Sequence, residues 1–218
     1  MSLTLTTATT QVRDLLNEDA EVFWSNTEIE QWIKEGCRDF STKTLMVEAE
    51  GTLSLVTNQI IYAQADAAFI ANVLEPYAAL YNDGVDNWKG ILKSHPKVIG
   101  NEATNKPGDP KFYSLHNRKI YIWPKPTATM VAAGAYISLL YSKSTENIAD
   151  LMDEFQHLPL YYAAARCKWK DQKFAEGNAL MSMYASFSNF ERSDKHAREE
   201  DTLDMFKMKS RGAQRGAT

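Results

Sequence analysis

Little in this 218-residue chain is available for covalent or metal chemistry. It has two cysteines, Cys37 and Cys167, each inside a helical pattern. Such spacing reads as buried free thiols in a reducing compartment rather than as a disulfide framework. Cys167 lies between Arg166 and Lys168, but neighbours on a helix point about 100° apart, so a core thiol is expected, not an activated one. The four histidines (His95, His116, His157 and His196) are far apart, and none has a neighbour at metal-ligand spacing. There is no glycine-rich phosphate loop, G-x-S-x-G, H-E-x-x-H or paired C-x-x-C. Carboxylate pairs such as Glu28/Glu30 and Asp153/Glu154 fall on polar helix faces. No catalytic residue, metal site or cofactor is therefore expected, and the chain reads as a non-enzyme. No apolar run approaches the ~18–20 residues that a membrane span requires. The opening Met1-Ser2-Leu3-Thr4 leads into a Thr-rich segment without a basic or apolar signal region, so cytoplasmic synthesis is expected. Nor is there a basic excess: 24 Lys and Arg against 28 Asp and Glu give a net charge of −4, which argues against a dedicated nucleic-acid binder.

What the chain does have is ordinary globular composition, 44% hydrophobic and 24% charged, so a packed core is expected. Ala8, Val12 and Leu15 recur at helical spacing near the N-terminus. Ser25-Asn26-Thr27-Glu28 has the S-x-x-E form of a capping box; the hydroxyl and the carboxylate each satisfy an exposed backbone amide of the other. Ile29, Ile33, Gly36 and Phe40 follow at spacings of 4, 3 and 4 beside Trp32, which predicts an amphipathic helix from about Thr27 to about Lys43.

Between Leu45 and Tyr141 the hydrophobic period falls to two. Leu53–Leu55, Gln59–Tyr62, Tyr113–Leu115 and Ala135–Tyr141 read as short strands. Asn82-Asp83-Gly84 is a hairpin signal between Tyr77–Tyr81 and Val85–Lys89. Ile91 to Ile99 reads as a short helix interrupted by Pro96, and Asn105–Pro110 as a loop. The most informative stretch is Pro110–Pro126. Two alternating runs flank a polar His116-Asn117 corner, with Ile120 and Ile122 on one face and Tyr121 and Trp123 on the other. Pro124 and Pro126 lack the amide donors that a ladder needs, so pairing ends there.

After Asp150 the period is helical again. Leu158, Tyr162, Ala165 and Trp169 recur at 4, 3 and 4, and Leu180, Met183, Phe187 and Phe190 at 3, 4 and 3. Lys170–Lys173 is read as a turn between two helices, with one long helix as the alternative, and Gly177 falls inside the second stripe. Trp32, Ile33, Phe40, Tyr162, Ala165, Trp169, Leu180 and Phe187 are the expected helical core. The end of the chain sets an acidic run (Glu199, Glu200, Asp201, Asp204) against a stretch that is basic from Lys207 onward. It has too little apolar surface to fold alone. Leu203, Met205, Phe206 and Met208, with Lys207, Lys209, Arg211 and Arg215, are the candidate partner-binding residues there.

The expected fold class is α+β. Residues 1–44 and 150–198 form a helical core, 45–149 a mostly antiparallel β-rich insertion, and 199–218 an extended tail. The five tryptophans, ten tyrosines and nine phenylalanines suit packing and subunit interfaces; a base-stacking or glycan platform is the alternative.

In their order along the chain, several of these features resemble the head-to-tail adaptor (connector) proteins of tailed double-stranded DNA bacteriophages. They are the capped helix Trp24-Ser25-x-x-Glu28-Ile29-x-x-Trp32-Ile33, the hairpin Pro110-x-Phe112-Tyr113…Ile120-Tyr121-Ile122-Trp123-Pro124-x-Pro126, a strand ending in Tyr141, and the helix opening Leu158-Pro159-x-Tyr161-Tyr162-Ala163-Ala164-Ala165-Arg166. The match spans roughly Val12 to Ala197, although the β insertion departs from the smallest, all-helical adaptors. The resemblance implies a virion neck protein forming a ring, a dodecamer following portal symmetry. That ring docks beneath the portal, contacts a downstream tail or neck protein, and extends the channel used in genome packaging and ejection. DNA would pass through without specific binding, and no membrane is involved. A stopper or tail-completion ring is the nearest alternative. A glycan- or peptide-binding accessory module of a tail or baseplate is the alternative of a different class.

Overall fold

The structure is a computed structural model and describes residues 3–18, 23–85, 87–95 and 107–188. The chain forms two compact units, one of residues 1–46 with 145–218 and one of residues 47–144. The strands lie in the second unit and the long helices in the first, giving an α+β protein.

The first unit is helical. Helix α1 (Leu5–Leu16) starts at Thr4, whose side chain accepts from the Thr7 amide, and stops at Asn17 in the left-handed region. Its buried stripe is Ala8, Val12 and Leu16, while Leu15 is 40% exposed. Expecting Leu15 in that stripe was wrong by one position, because i, i+4, i+8 closes on Leu16. Helix α2 (Asn26–Thr44) carries the predicted capping box in full and buries Ile29, Ile33, Gly36, Cys37 and Phe40.

Among the described residues, the second unit contains a seven-stranded curled sheet and one short α-helix. Its strands are β1 (Glu48–Ser54), β2 (Ile61–Tyr62), β3 (Val73–Asn82), β4 (Trp88–Lys93), β5 (Phe112–His116), β6 (Lys119–Trp123) and β7 (Tyr136–Lys143). Helix α3 (Ala128–Ala132), which the sequence reading missed, lies between β6 and β7. The spatial order is β1-β7-β3-β4-β5-β6-β2, and all neighbours are antiparallel except β4 and β5. One face closes over a core that includes Leu53, Tyr62, Tyr81, Tyr113, Ile120, Ile122, Ile137 and Leu139. Pro76 is tolerated within β3 because β4 pairs only with Ala79–Asn82, leaving that side of the strand free at the proline.

Three sequence expectations shift here. The predicted helix at Ile91–Ile99 is wrong at its start: Ile91–Lys93 complete β4, and residues 96–99 lie outside the described residues. The second arm of the Asn82-Asp83-Gly84 hairpin is Trp88–Lys93, not Val85–Lys89, since Asp83 and Asn87 link side chain to backbone and lengthen the loop. The β5–β6 corner is Asn117-Arg118, both at positive φ, with His116 paired to Lys119. This is a two-residue turn whose twist matches the flanking strands. Ile120 and Ile122 share the core face and are buried, and Trp123, on the opposite face, is buried too.

In the first unit the chain continues through short 3₁₀ turns into α4 (Leu158–Lys170), with Pro159 in its first turn. Gln172, at φ 60°, reverses direction, and residues 174–188 form α5. The predicted turn at Lys170–Lys173 is therefore present. Gly177 is fixed by a neighbour: a Cβ there would meet Trp169 Cδ1 at 2.3 Å and Nε1 at 2.6 Å. The indole also donates from Nε1 to Asn178 Oδ1 at 3.1 Å. Alanine is ordinarily worth about 1 kcal/mol over glycine within a helix. Gly177→Ala is expected instead to destabilise by about 1–3 kcal/mol, because the ring must move and lose Asn178. A raised thermal midpoint would refute this account.

Candidate assembly surfaces

Thiol chemistry is suppressed by packing. Burial, reinforced by Asp150 near one and Glu18 near the other, pushes the Cys37 and Cys167 thiols up to about 12, so neither is a thiolate at neutral pH. Among the described residues, no group of three or more His, Cys, Asp or Glu side chains could hold a metal ion. No helix among them is long and apolar enough to cross a membrane.

Of the expected helical core, Ile33, Phe40 and Ala165 are buried, while Trp32, Tyr162, Trp169 and Leu180 are partly buried. Phe187 is not in the core: it is 51% exposed, and Met183 beside it is 54% exposed. The face that α5 turns inward is Gly177, Tyr184 and Ser188. Tyr184 is 1% exposed, donates to Asp39 Oδ2 at 2.7 Å and meets Tyr162 edge-on. Burial, and then the hydrogen bond to the Asp39 carboxylate, drive its phenol far above the ordinary range. Sequence reasoning missed Tyr184 because the more apolar stripe beside it drew the assignment.

Among the described residues, much of that stripe is exposed. Leu180, Met183 and Phe187 share one side of α5, and Phe187 touches His157 edge-on with ring centroids 6.1 Å apart. Next to His157, a groove of about 370 Å³ is lined by Gln11, Asp14, Leu15, Leu160 and Tyr161. Residues 174–188 include a single charged side chain, Glu176, which pairs with Lys168 at 2.8 Å. A helix half in water normally carries charges on its outer face.

The β unit has a second apolar surface, exposed among the described residues. On the sheet face opposite the core, Leu80 pairs with Gly90 and Asn82 with Trp88, and Leu92 follows on β4. Trp88 is 49% exposed, Leu92 66% and Leu80 36%. Across β7, β3 and β4 this face has no charged residue at positions 136, 138, 140, 78, 80, 82, 88, 90 or 92. Trp88 leans edge-on against Tyr136 at 5.6 Å. Depletion of charge with an exposed tryptophan is the composition of an interface centre.

The proposed partner-binding residues Leu203, Met205, Phe206, Lys207, Met208, Lys209, Arg211 and Arg215 lie outside the described residues. No curated protein matches the chain. The family model described as SU10 adaptor protein matches residues 3–208, nearly the whole chain. Helical core, curled mixed sheet and bare apolar faces thus belong to a member of the SU10 adaptor protein family, consistent with a phage head-to-tail adaptor.

Proposed function

We propose that this protein is a structural component of the virion neck, a ring-forming adaptor that docks beneath the portal and joins the capsid to the tail. The family match over residues 3–208 is the observation that carries this reading. Two apolar patches exposed among the described residues, one on each unit, support self-association. The net charge of −4 suits a conduit: each phosphate neutralised by Lys or Arg would add affinity through counterion release and hinder sliding. The role is assembly, not catalysis, and needs no cofactor.

The portal contact is assigned to the segment from Asp201 to Thr218. From Met205 the last fourteen residues, fully extended, reach at most ~45–50 Å at ~3.3–3.6 Å each. Leu203 and Phe206 can anchor on one helical turn, while Lys207, Lys209, Arg211 and Arg215 meet acidic groups or main-chain carbonyls. The test is native mass spectrometry of the full chain, and of a chain ending at Glu200, with and without the portal of the same phage. A ring whose subunit number follows the portal is expected, as is a sharp loss of docking on truncation with the fold intact. Undiminished docking by the shortened chain would dispose of the tail assignment, and no complex with the portal would dispose of the adaptor role.

A further inference from the structure

Among the described residues, nothing explains Gly90. It sits inside β4, away from the left-handed region, and a Cβ built on it meets nothing within 4 Å. Neither backbone geometry nor local packing requires a glycine there, and a strand interior ordinarily disfavours one. A bare strand position between exposed Trp88 and Leu92 is a notch of the kind that lets another chain approach closely. Helix α5 offers the reverse shape. Met183 and Phe187 project from a charge-poor helix, and methionine adapts to irregular surfaces.

We propose that copies of this chain associate head to tail, the notch at Gly90 on one copy receiving the Met183–Phe187 ridge of the next. This rests on the ring reading and names its contact. The two surfaces are unlike, so a twofold pairing of either with itself would leave the other bare, whereas a heterologous contact uses both and can close into a ring. Depletion of charge around Trp88 and Leu92 and around Met183 and Phe187 is the complementarity that counts, the nearest sheet carboxylate, Glu50, being held by Ser138 Oγ; a charged partner would be left desolvated against either apolar patch. Area points the same way. The exposed parts of Trp88, Leu80 and Leu92 amount to roughly 200–300 Å² of apolar surface. That is the centre of an interface whose rim must bring each side to about 800 Å². A contact of this size suits a copy presenting a whole helix face better than a short peptide.

Two charge insertions and one cavity-filling change test it in the full-length chain. Leu92→Glu and Met183→Glu alter exposed side chains, so folded monomers with unchanged circular dichroism are expected from each alone. Mixed in equal amounts, they should form one-to-one dimers and nothing larger, since each retains one intact face and only one productive pairing remains. Gly90→Leu should leave the thermal midpoint unchanged or raised while weakening self-association at least roughly tenfold, read by sedimentation velocity. Wild-type-sized assemblies from both Glu variants would overturn the inference and leave the ring reading standing, with the faces covered by residues 189–218 or by a different protein. Loss of assembly in Leu92→Glu alone, with no dimers on mixing, would show a sheet-to-sheet twofold contact and overturn it as well. A wild-type chain that stays monomeric at millimolar concentration would overturn the contact; the ring reading would then fail only if the portal also failed to gather several copies.

Discussion

Arg13→Ala should destabilise the helical unit by about 3–5 kcal/mol, measured by reversible urea unfolding at a fixed low concentration. Arg13 is on the last turn of α1, yet its side chain is only 9% exposed. Its guanidinium donates from Nη1 to Glu18 Oε2 at 3.1 Å and from Nη2 to the Trp24 carbonyl at 2.9 Å; Nε and Nη2 also reach Asn26 Oδ1 at 3.1 and 2.8 Å. Glu18, 7% exposed at its side chain, also accepts from the Phe23 amide at 2.8 Å. One cation thus joins the end of α1 to the segment that enters α2, directly before the Ser25–Glu28 capping box. Alanine would leave a buried carboxylate and a carbonyl short of a donor, and that desolvation is the dominant cost. The pairing itself contributes less than its removal costs. The double variant Arg13→Met with Glu18→Leu should therefore recover a large part of the loss. A cost below about 1 kcal/mol for Arg13→Ala would mean that water replaces the guanidinium, and the network would not be holding the helices.

The same region shows which parts of this fold a sequence reveals. Ser25 and Glu28 could be read because a capping box is local: four residues contain both the donors and the acceptors. Strands β5 and β6 could be read because alternation and proline are local too. Arg13 could not, since its partners are a side chain five residues on and a carbonyl eleven residues on, outside any periodic pattern. Strand β1 was hidden in its first half, where Glu48-Ala49-Glu50-Gly51 shows no apolar alternation. It is held there by pairing with β7, from Glu48 opposite Ser142 to Ser54 opposite Tyr136. On α5 the period was right and the phase was wrong. Leu180, Met183 and Phe187 form the more hydrophobic stripe, but burial goes to Gly177, Tyr184 and Ser188, where the shape fits and a phenol finds Asp39. Where the outer side of a helix has almost no charge, apolar periodicity cannot tell the side facing the core from the side facing another molecule. Likewise, Gly90 is an ordinary letter until the empty space before it is seen.

Alkaline pH should unfold this protein steeply, and two cysteines should set the onset. The Cys37 and Cys167 thiols are raised from an ordinary value near 9 to about 12, chiefly because burial penalises the thiolate. Above pH 9 the unfolded chain loses these protons while the folded chain keeps them, so the unfolded state binds fewer protons and stability falls as pH rises. The contribution is fully present below about pH 9 and is lost progressively up to about 12. Each such group contributes up to about 1.4 kcal/mol per pH unit, so the pair approaches ~3 kcal/mol per unit once pH is well above 9. From about pH 10 the tyrosines act in the same direction. Burial raises Tyr81 and Tyr113 to about 12, and Tyr184 is driven up further by burial and by Asp39. A domain with ~5–15 kcal/mol of total stability would then unfold within a few pH units. Urea unfolding under reducing conditions at pH 8, 9, 10 and 10.5 would measure the slope. The double variant Cys37→Ala with Cys167→Ala should start from lower stability, because both methylene–thiol side chains are buried, yet lose distinctly less than the wild type between pH 8 and 9.5. Equal wild-type stability at pH 8 and pH 10 would show that the thiols meet water in the folded state, and the packing assigned to α2 and α4 would have to be abandoned.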